Sequence, residues 1–188
     1  PALAAKGERT ERSLRDPIFW IDLEMSGLDP MEHTILEVAI IATDGSLNRT
    51  IEGPSLCIHH DDDTLALMND WSREQHEKSG LTQRCRESTV VLADAEAAVV
   101  AFVSEHAGGR PAVLGGACVY VDQQFVHRRM PALGALLSHR VIDVSTIRQL
   151  AWRWHPTVAR AGPKGESSHR ALDDIRYSIA ELRYFRDS

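Results

Sequence analysis

Apolar positions along this chain follow two periods, one of strands and one of helices. The run IFWIDLEM, Ile18 to Met25, is apolar and partly β-branched, and Pro17 and Gly27 bound it, which predicts a buried strand. ILEVAIIAT, Ile35 to Thr43, predicts a second. The turn signal TDGSLN follows, then a third strand from about Leu47 to Ile58. Three strands so close in sequence predict an antiparallel meander. DDTLALMNDW and REQHEKSG predict short helices, and Asp94 to Glu105 carries Ala, Val and Phe at helical spacing. PAVLGG, Pro111 to Gly116, predicts a short strand, and Asp122 to Met130 a helix stopped by Pro131. RVIDV predicts a fifth strand, with Ser145 capping a helix to Trp154. The final helix is expected from about His169 to Arg186, with Leu172, Ile175, Ile179 and Leu182 as its core stripe. Three strands followed by strand–helix alternation predict an α/β chain with a mixed sheet covered by helices.

Composition adds boundaries. Residues 1 to about 16 are polar with no apolar periodicity, which predicts a flexible arm; their mixed charges make a poor intact transit peptide. Residues 17–188 are expected to form one domain, ordinary in its 43% hydrophobic and 26% charged content. The three cysteines, Cys57, Cys85 and Cys118, are odd in number and far apart in sequence, without CxxC spacing. Neither a disulfide nor a zinc framework is expected, and a reducing compartment is. No apolar run approaches the roughly 20 residues that span a bilayer, so no membrane partner is expected. The formal net charge of −6 argues against tight binding of long nucleic acid. It does not exclude a nuclease, because carboxylates gathered around divalent metals contribute charge that the ions offset.

Candidate chemistry sits in three places. Asp22 and Glu24, two apart in the first strand, share one face of it, and two carboxylates on one face of an apolar strand are costly unless something positive pairs with them. A divalent metal would serve, since hard ions take carboxylate oxygens; a strand with one solvated face carries the same pattern. Asp122 opens a helix after an apolar strand, where the macrodipole alone favours an acid. SSHRALDD supplies His169, Asp173 and Asp174 near the start of the last helix. His169 and Asp174 are about 140° apart on an ideal helix, so a shared site needs His169 in the loop or first turn. Periodicity does not choose between Asp173 and Asp174, since both lie off the core stripe.

Taken in order, these segments resemble the oligoribonuclease branch of the DEDDh exonucleases over about Ile18 to Arg186. WIDLEMSGLDP, LEVAIIATDGSLN, EGP, MNDW, HEKSGL, the spaced Asp122, RVIDVSTIRQLAWRWHP and SHRALDDIRYSIAELRYFR carry the resemblance. It implies an RNase H-like mixed five-stranded sheet flanked by helices. It implies 3′→5′ hydrolysis of short oligoribonucleotides, dinucleotides included, to nucleoside 5′-monophosphates. Asp22, Glu24, Asp122 and Asp174 would hold two Mg²⁺ or Mn²⁺ ions, and the pattern H-x-x-x-x-D selects Asp174. His169 would take the proton from the attacking water, a task suited to an imidazole with a free pKa of about 6.5.

The resemblance extends to substrate contacts. Leu28 would wedge between the last two bases and Trp71 would stack on a base. His76, Arg140, Ser145 and Thr146 would grip the 5′ phosphate of a dinucleotide. The family's Gly-Asn-Ser is Gly116-Ala117-Cys118 here, and its His-Tyr-Arg is Ser138-His139-Arg140. The family serine joins the phosphate grip, and cysteine donates more weakly. The family tyrosine reaches across a homodimer to the partner's substrate, which implies a homodimer here with His139 in that place. Activity is expected to survive these departures, while selection for dinucleotides weakens. The alternatives are a DEDDh exonuclease trimming longer RNA or DNA ends and a subunit of an RNA–protein assembly that uses the fold for docking. A bacterial source would place the chain in the cytoplasm, a eukaryotic one in the mitochondrion.

Overall fold

The computed structural model describes residues 14–164 and 170–188. One mixed sheet has the strand order β3-β2-β1-β4-β5. β1 (Ile18–Met25), β2 (Ile35–Thr43) and β3 (Thr50–Cys57) form the antiparallel meander. β4 (Ala112–Gly116) lies parallel to β1, and β5 (Leu137–Asp143) parallel to β4. The expected five-stranded mixed sheet flanked by helices is therefore present.

Alternation along β1 builds two cores. Phe19, Ile21 and Leu23 join Val38 and Ile40 of β2 on one face. They pack with Val99, Phe102 and Val103 of α4 (Leu92–His106) and Phe125 and Val126 of α5 (Tyr120–Arg129). Ile18 and Trp20 join Ala39 and Ile41 on the other face, with Ala171, Ile175 and Ile179 of α9 (Ala171–Asp187). Both faces of β2 are thus covered, which is why its whole length is buried and why it reads as a continuous apolar run. A third cluster packs α1 (Asp62–Ala66) and α3 (Leu81–Glu87) on the end of β2, through Leu36, Leu65, Leu81, Cys85 and Met68, which precedes α2 (Asp70–Lys78).

Several boundaries move for identifiable reasons. β3 begins at Thr50 because Asp44 holds a turn before it. Its carboxylate accepts from Asn48 N at 2.8 Å, Arg49 N at 3.1 Å and Ser46 Oγ at 2.7 Å. Pro131 does not merely stop a helix: it is the first residue of α6 (Pro131–Gly134), where a missing N–H costs nothing. The cap of α7 (Val144–Trp154) is Asp143 rather than Ser145, because the Asp143 carboxylate accepts from Ser145 N at 2.8 Å. That leaves the Ser145 hydroxyl for other work. α8 (Pro156–Ala161) follows, and α9 starts at Ala171; His169 lies outside the described residues. The polar arm gives way to ordered chain earlier than expected. Leu14 is 5% exposed in the first core, and Gly45 N donates to the Arg15 carbonyl at 2.9 Å. Residues 1–13 lie outside the described residues. No helix among the described residues is long and apolar enough to cross a membrane.

Candidate active site

Alternation carries Asp22 and Glu24 to the same face of β1 as Ile18 and Trp20, the face that α9 covers. On α9, Ala171 and Ile175 anchor the first turn in the core and leave Asp174 between them, over the end of β1. One carboxylate oxygen from each of Asp22, Glu24 and Asp174 lies within 4.8 Å of the others. Asp173, the neighbour that periodicity could not separate from Asp174, is exposed and pairs with Arg176 at 3.0 Å.

Asp122 arrives by a different route. β4 pairs with β1 only from Ile18 to Trp20, so the rest of β1 outruns its parallel neighbour. The Leu23 N–H then donates to Asp122 Oδ1 at 3.0 Å, in the first turn of α5. Asp122 is 6% exposed, and this backbone bond holds its carboxylate near enough for its charge to act on Asp22 and Glu24.

The electrostatics of this nest are unfavourable as they stand. Burial pushes the Asp22 carboxyl well above the usual range, and the charges of Asp122, Glu24, Asp174 and Glu37 push it further. Glu24 is raised to about 8, first by burial and then by Asp174, Glu37 and Asp122, with Arg84 opposing. Burial raises Asp122 to about 7 against the lowering effect of the Leu23 N–H. Crowded acids with oxygen-only donors suit a hard divalent cation, so the residues fit the metal chemistry that the resemblance implied.

Behind the nest stand groups that sequence reasoning missed or placed elsewhere. Glu37 faces Glu24 across the β1–β2 register, and the buried Glu37 takes an ion pair from Arg84 Nη1 at 2.8 Å. The signal was available, since Glu37 is the single acid in the run ILEVAIIAT. His76, expected at the 5′ phosphate, is only 1% exposed. Its Nε2 donates to the Met25 carbonyl at 2.9 Å, and its Nδ1 lies 3.9 Å from Glu24 Oε2. In this position it braces the end of β1.

The rim carries the remaining candidates. Leu28 is 69% exposed on a braced loop, in which Ser26 N donates to the Thr34 carbonyl at 3.0 Å and His33 N to the Asp29 carbonyl at 2.8 Å. A Cβ on Gly27 would come within 2.3 Å of the His33 ring, so a side chain there would push that ring away from its contact with Ser26 Oγ. Trp71 is 59% exposed near the start of α2. Cys118 takes a positive φ of 54°, and its N–H donates to Asp143 Oδ1 and Ser145 Oγ, each at 3.0 Å. Cys118 and Ser145 are thereby brought together, and the exposed Thr146 follows in α7. His139 and Arg140 are exposed on the edge strand β5. The pairing register of β5 with β4 is broken between Leu137 and Val141, the stretch that holds His139 and Arg140, and Arg140 N donates to Ser138 Oγ there at 3.1 Å.

Comparison with known proteins agrees with this arrangement. The RNase T-type exonuclease family model matches residues 19–182. An oligoribonuclease of Pseudomonas paraeruginosa PA7 is 48% identical over 170 residues, covering 90% of this chain and 94% of that protein. The oligoribonuclease of Halorhodospira halophila is 47% identical over 169 residues, covering 90% and 92%. In fold the chain is similar to E. coli exonuclease I in complex with an oligonucleotide, with TM-score 0.68 and 15% identity over 92% of this chain. Exonuclease I of Methylocaldum szegediense gives 0.66 and 19% over 91%. The chain spans about two fifths of those exonuclease I chains, 41% and 40%. At that level of identity the likeness establishes the RNase H-like fold alone.

Proposed function

We propose, because the chain belongs to the oligoribonuclease family of exonucleases, that it is a 3′→5′ exoribonuclease degrading short single-stranded RNA to nucleoside 5′-monophosphates. The observation that carries this reading is the convergence of Asp22, Glu24 and Asp174 within 4.8 Å, with Asp122 tied to the same strand. These four carboxylates would hold two divalent cations, Mg²⁺ or Mn²⁺, which when bound supply an activated water and stabilise the leaving 3′ oxygen. The chain's own residues do the rest. Asp22 would hold the ions together with Asp122, Glu24 and Asp174, the neighbours whose charges, after burial, push its carboxyl up. His169 accepts the proton of the attacking water. Leu28 and Trp71, both exposed, take the 3′ bases. The 5′ phosphate meets Ser145, Thr146 and Cys118, with Arg140 of the neighbouring β5 supplying positive charge.

A cleft of about 510 Å³ between α7 and α9 supports a path for RNA beyond two nucleotides. Its wall includes Arg148, Trp152, Arg160 and Tyr177. Arg148 and Tyr177 each lie three residues along their helix from Ser145 and Asp174, about one turn. The chain acts as a homodimer in which His139 approaches the partner's substrate, in the cytoplasm of a bacterium or the mitochondrion of a eukaryote. The test is hydrolysis of defined two- to ten-nucleotide RNAs, and of DNA of the same lengths, with Mg²⁺ or Mn²⁺. Stepwise release of mononucleotides from RNA 3′ ends is expected, abolished in Asp22→Ala. Endonucleolytic products, or a preference for DNA, would overturn the reading.

A further inference from the structure

The three cysteines are scattered in sequence, but the fold brings two of them together. Cys57 ends β3, and Cys85 lies in α3, 28 residues later. Their sulfurs are 3.4 Å apart, and both are free thiols. Cys57 is half-buried, whereas Cys85 is wholly buried. Between them the chain forms α1, α2 and most of α3, the segment that carries Trp71 and His76. We propose that Cys57 and Cys85 are an oxidation site, at which a hydroperoxide converts the pair to a disulfide that fastens this segment to the sheet beside the acid nest.

The geometry asks little of the protein. A disulfide needs its sulfurs at about 2.05 Å, so the pair must close by roughly 1.3 Å. The two sulfurs already share a hydrogen bond, and the seven-residue α3 is the element that must shift. The surroundings assign the roles. The bond from Cys85, and then the nearby Arg84 charge, hold the Cys57 thiol below its usual value, while the Cys85 thiol is pushed up. Cys57 is therefore the nucleophile, since the thiolate is the reactive form. Its sulfur attacks one peroxide oxygen, the O–O bond breaks, and Cys57 becomes a sulfenic acid as the other oxygen leaves as alcohol or water. The Cys85 sulfur then attacks the Cys57 sulfur and displaces water. Two thiols have lost two hydrogens, and the hydroperoxide has been reduced to an alcohol and water.

The consequence runs to the site through Arg84, the residue before Cys85. Arg84 holds Glu37 at 2.8 Å, and Glu37 stands opposite Glu24 in the register. Cys57 itself is the register partner of Glu37 on the other side. Moving α3 towards β3 displaces the guanidinium that balances Glu37 behind the metal-holding acids. The activity readout rests on the exonuclease reading, while cross-link formation does not.

The experiment uses the reduced full chain, treated with tert-butyl hydroperoxide and then mapped as peptides without reduction. The expected result is one cross-linked peptide joining Cys57 to Cys85, two hydrogens lighter than its parts. Thermal unfolding should rise by about 5 °C, since the bond constrains the unfolded chain. RNA hydrolysis should fall roughly tenfold, the scale set by a misplacement near 1 Å, and dithiothreitol should restore it. Cys57→Ala, treated alongside, should show neither the cross-link nor the peroxide-dependent loss. Sulfinic acid at Cys57 with no bond to Cys85, or cross-linking through Cys118, would overturn the site. A Cys57–Cys85 bond with unchanged melting and unchanged hydrolysis would overturn the fastening. Were the chain to hydrolyse no RNA in any state, the cross-link and melting results would still decide the proposal.

Discussion

The two halves of β1 are built to opposite rules. From Ile18 to Trp20 the strand has neighbours on both edges, and its side chains fill both cores. Trp20 is fully buried, and its indole N–H donates to Thr43 Oγ1 at 2.9 Å. From Asp22 to Glu24 the strand has lost β4, a side chain catches the Leu23 N–H, and the acids on one face repel one another. One half supplies stability, and the other spends part of it to hold carboxylates where a metal would need them. A strand that is one continuous element to the eye is thus two elements in energy.

Asp22→Asn should break this division most visibly. Metal-dependent RNA hydrolysis should fall by about 10³-fold or more, as when a central catalytic group is removed. Without divalent ions the same variant should melt higher than the wild type, because a carboxyl whose ionisation burial and like-charged neighbours oppose becomes a neutral amide. Retained hydrolysis, or a lower melting point, would mean that the acids are not in conflict. Trp20→Ala tests the other half. A buried indole lost from the core should cost about 3–5 kcal/mol in denaturant titration. Activity per folded molecule should change far less.

The pH dependence of the metal-free protein sharpens the comparison. Glu24 is raised to about 8 and Asp122 to about 7, from unfolded values near 4. Between those limits the folded state binds more protons than the unfolded one, so stability falls as pH rises. With a chelator present, the melting point should therefore drop from pH 5 to pH 8. Millimolar Mg²⁺ should restore it at pH 8, where the carboxylates are free of protons. The drop should shrink in a double variant, Asp22→Asn with Glu24→Gln. An equal drop there would place its origin outside the nest.

Trp152→Ala is a smaller, selective probe. Trp152 lines the α7–α9 cleft, about two helical turns beyond Ser145, and Arg160 lies 5.9 Å from its ring centre. If longer RNA runs through this cleft, binding of a seven-mer should weaken about fivefold or more, the low end of base–aromatic stacking. Dinucleotide binding should hold. Equal weakening of both ligands would place the cleft off the RNA path.

The sequence made the strands legible because burial on both faces leaves an apolar run, as in β2, and a helix stripe leaves a 3.6-residue period, as in α9. Asp22 and Glu24 were visible because they interrupt such a run. The neighbours of the nest were harder. The approach of Asp122 to Leu23 depends on where β4 stops pairing, and the meeting of Cys57 with Cys85 on how α3 docks on the end of β2. Neither leaves a period in the sequence. Asp143 and Ser145 show the same limit at closer range. Both are good capping residues, and only the extended backbone at Asp143 decides that it caps α7.

The smallest expected effect lies one residue from a large one. Asp173 and Asp174 are chemically identical and adjacent, and periodicity alone gave no reason to prefer either. The fold separates them: Asp174 joins Asp22 and Glu24, while Asp173 turns outward to Arg176. Arg176 does not depend on that pairing, because its guanidinium also donates to both oxygens of Glu52 on β3, at 2.9 and 3.0 Å. Asp173→Asn therefore removes one partner of an exposed ion pair whose other attachment survives. Such pairs contribute little to stability. The variant should melt close to the wild type and hydrolyse a trinucleotide within about twofold of its rate, as for most surface substitutions. Asp174→Asn, the same change one position on, should lose most of that rate and weaken Mg²⁺ binding in calorimetry. Comparable losses in the two variants would mean that the start of α9 rotates when metal binds, bringing Asp173 inward.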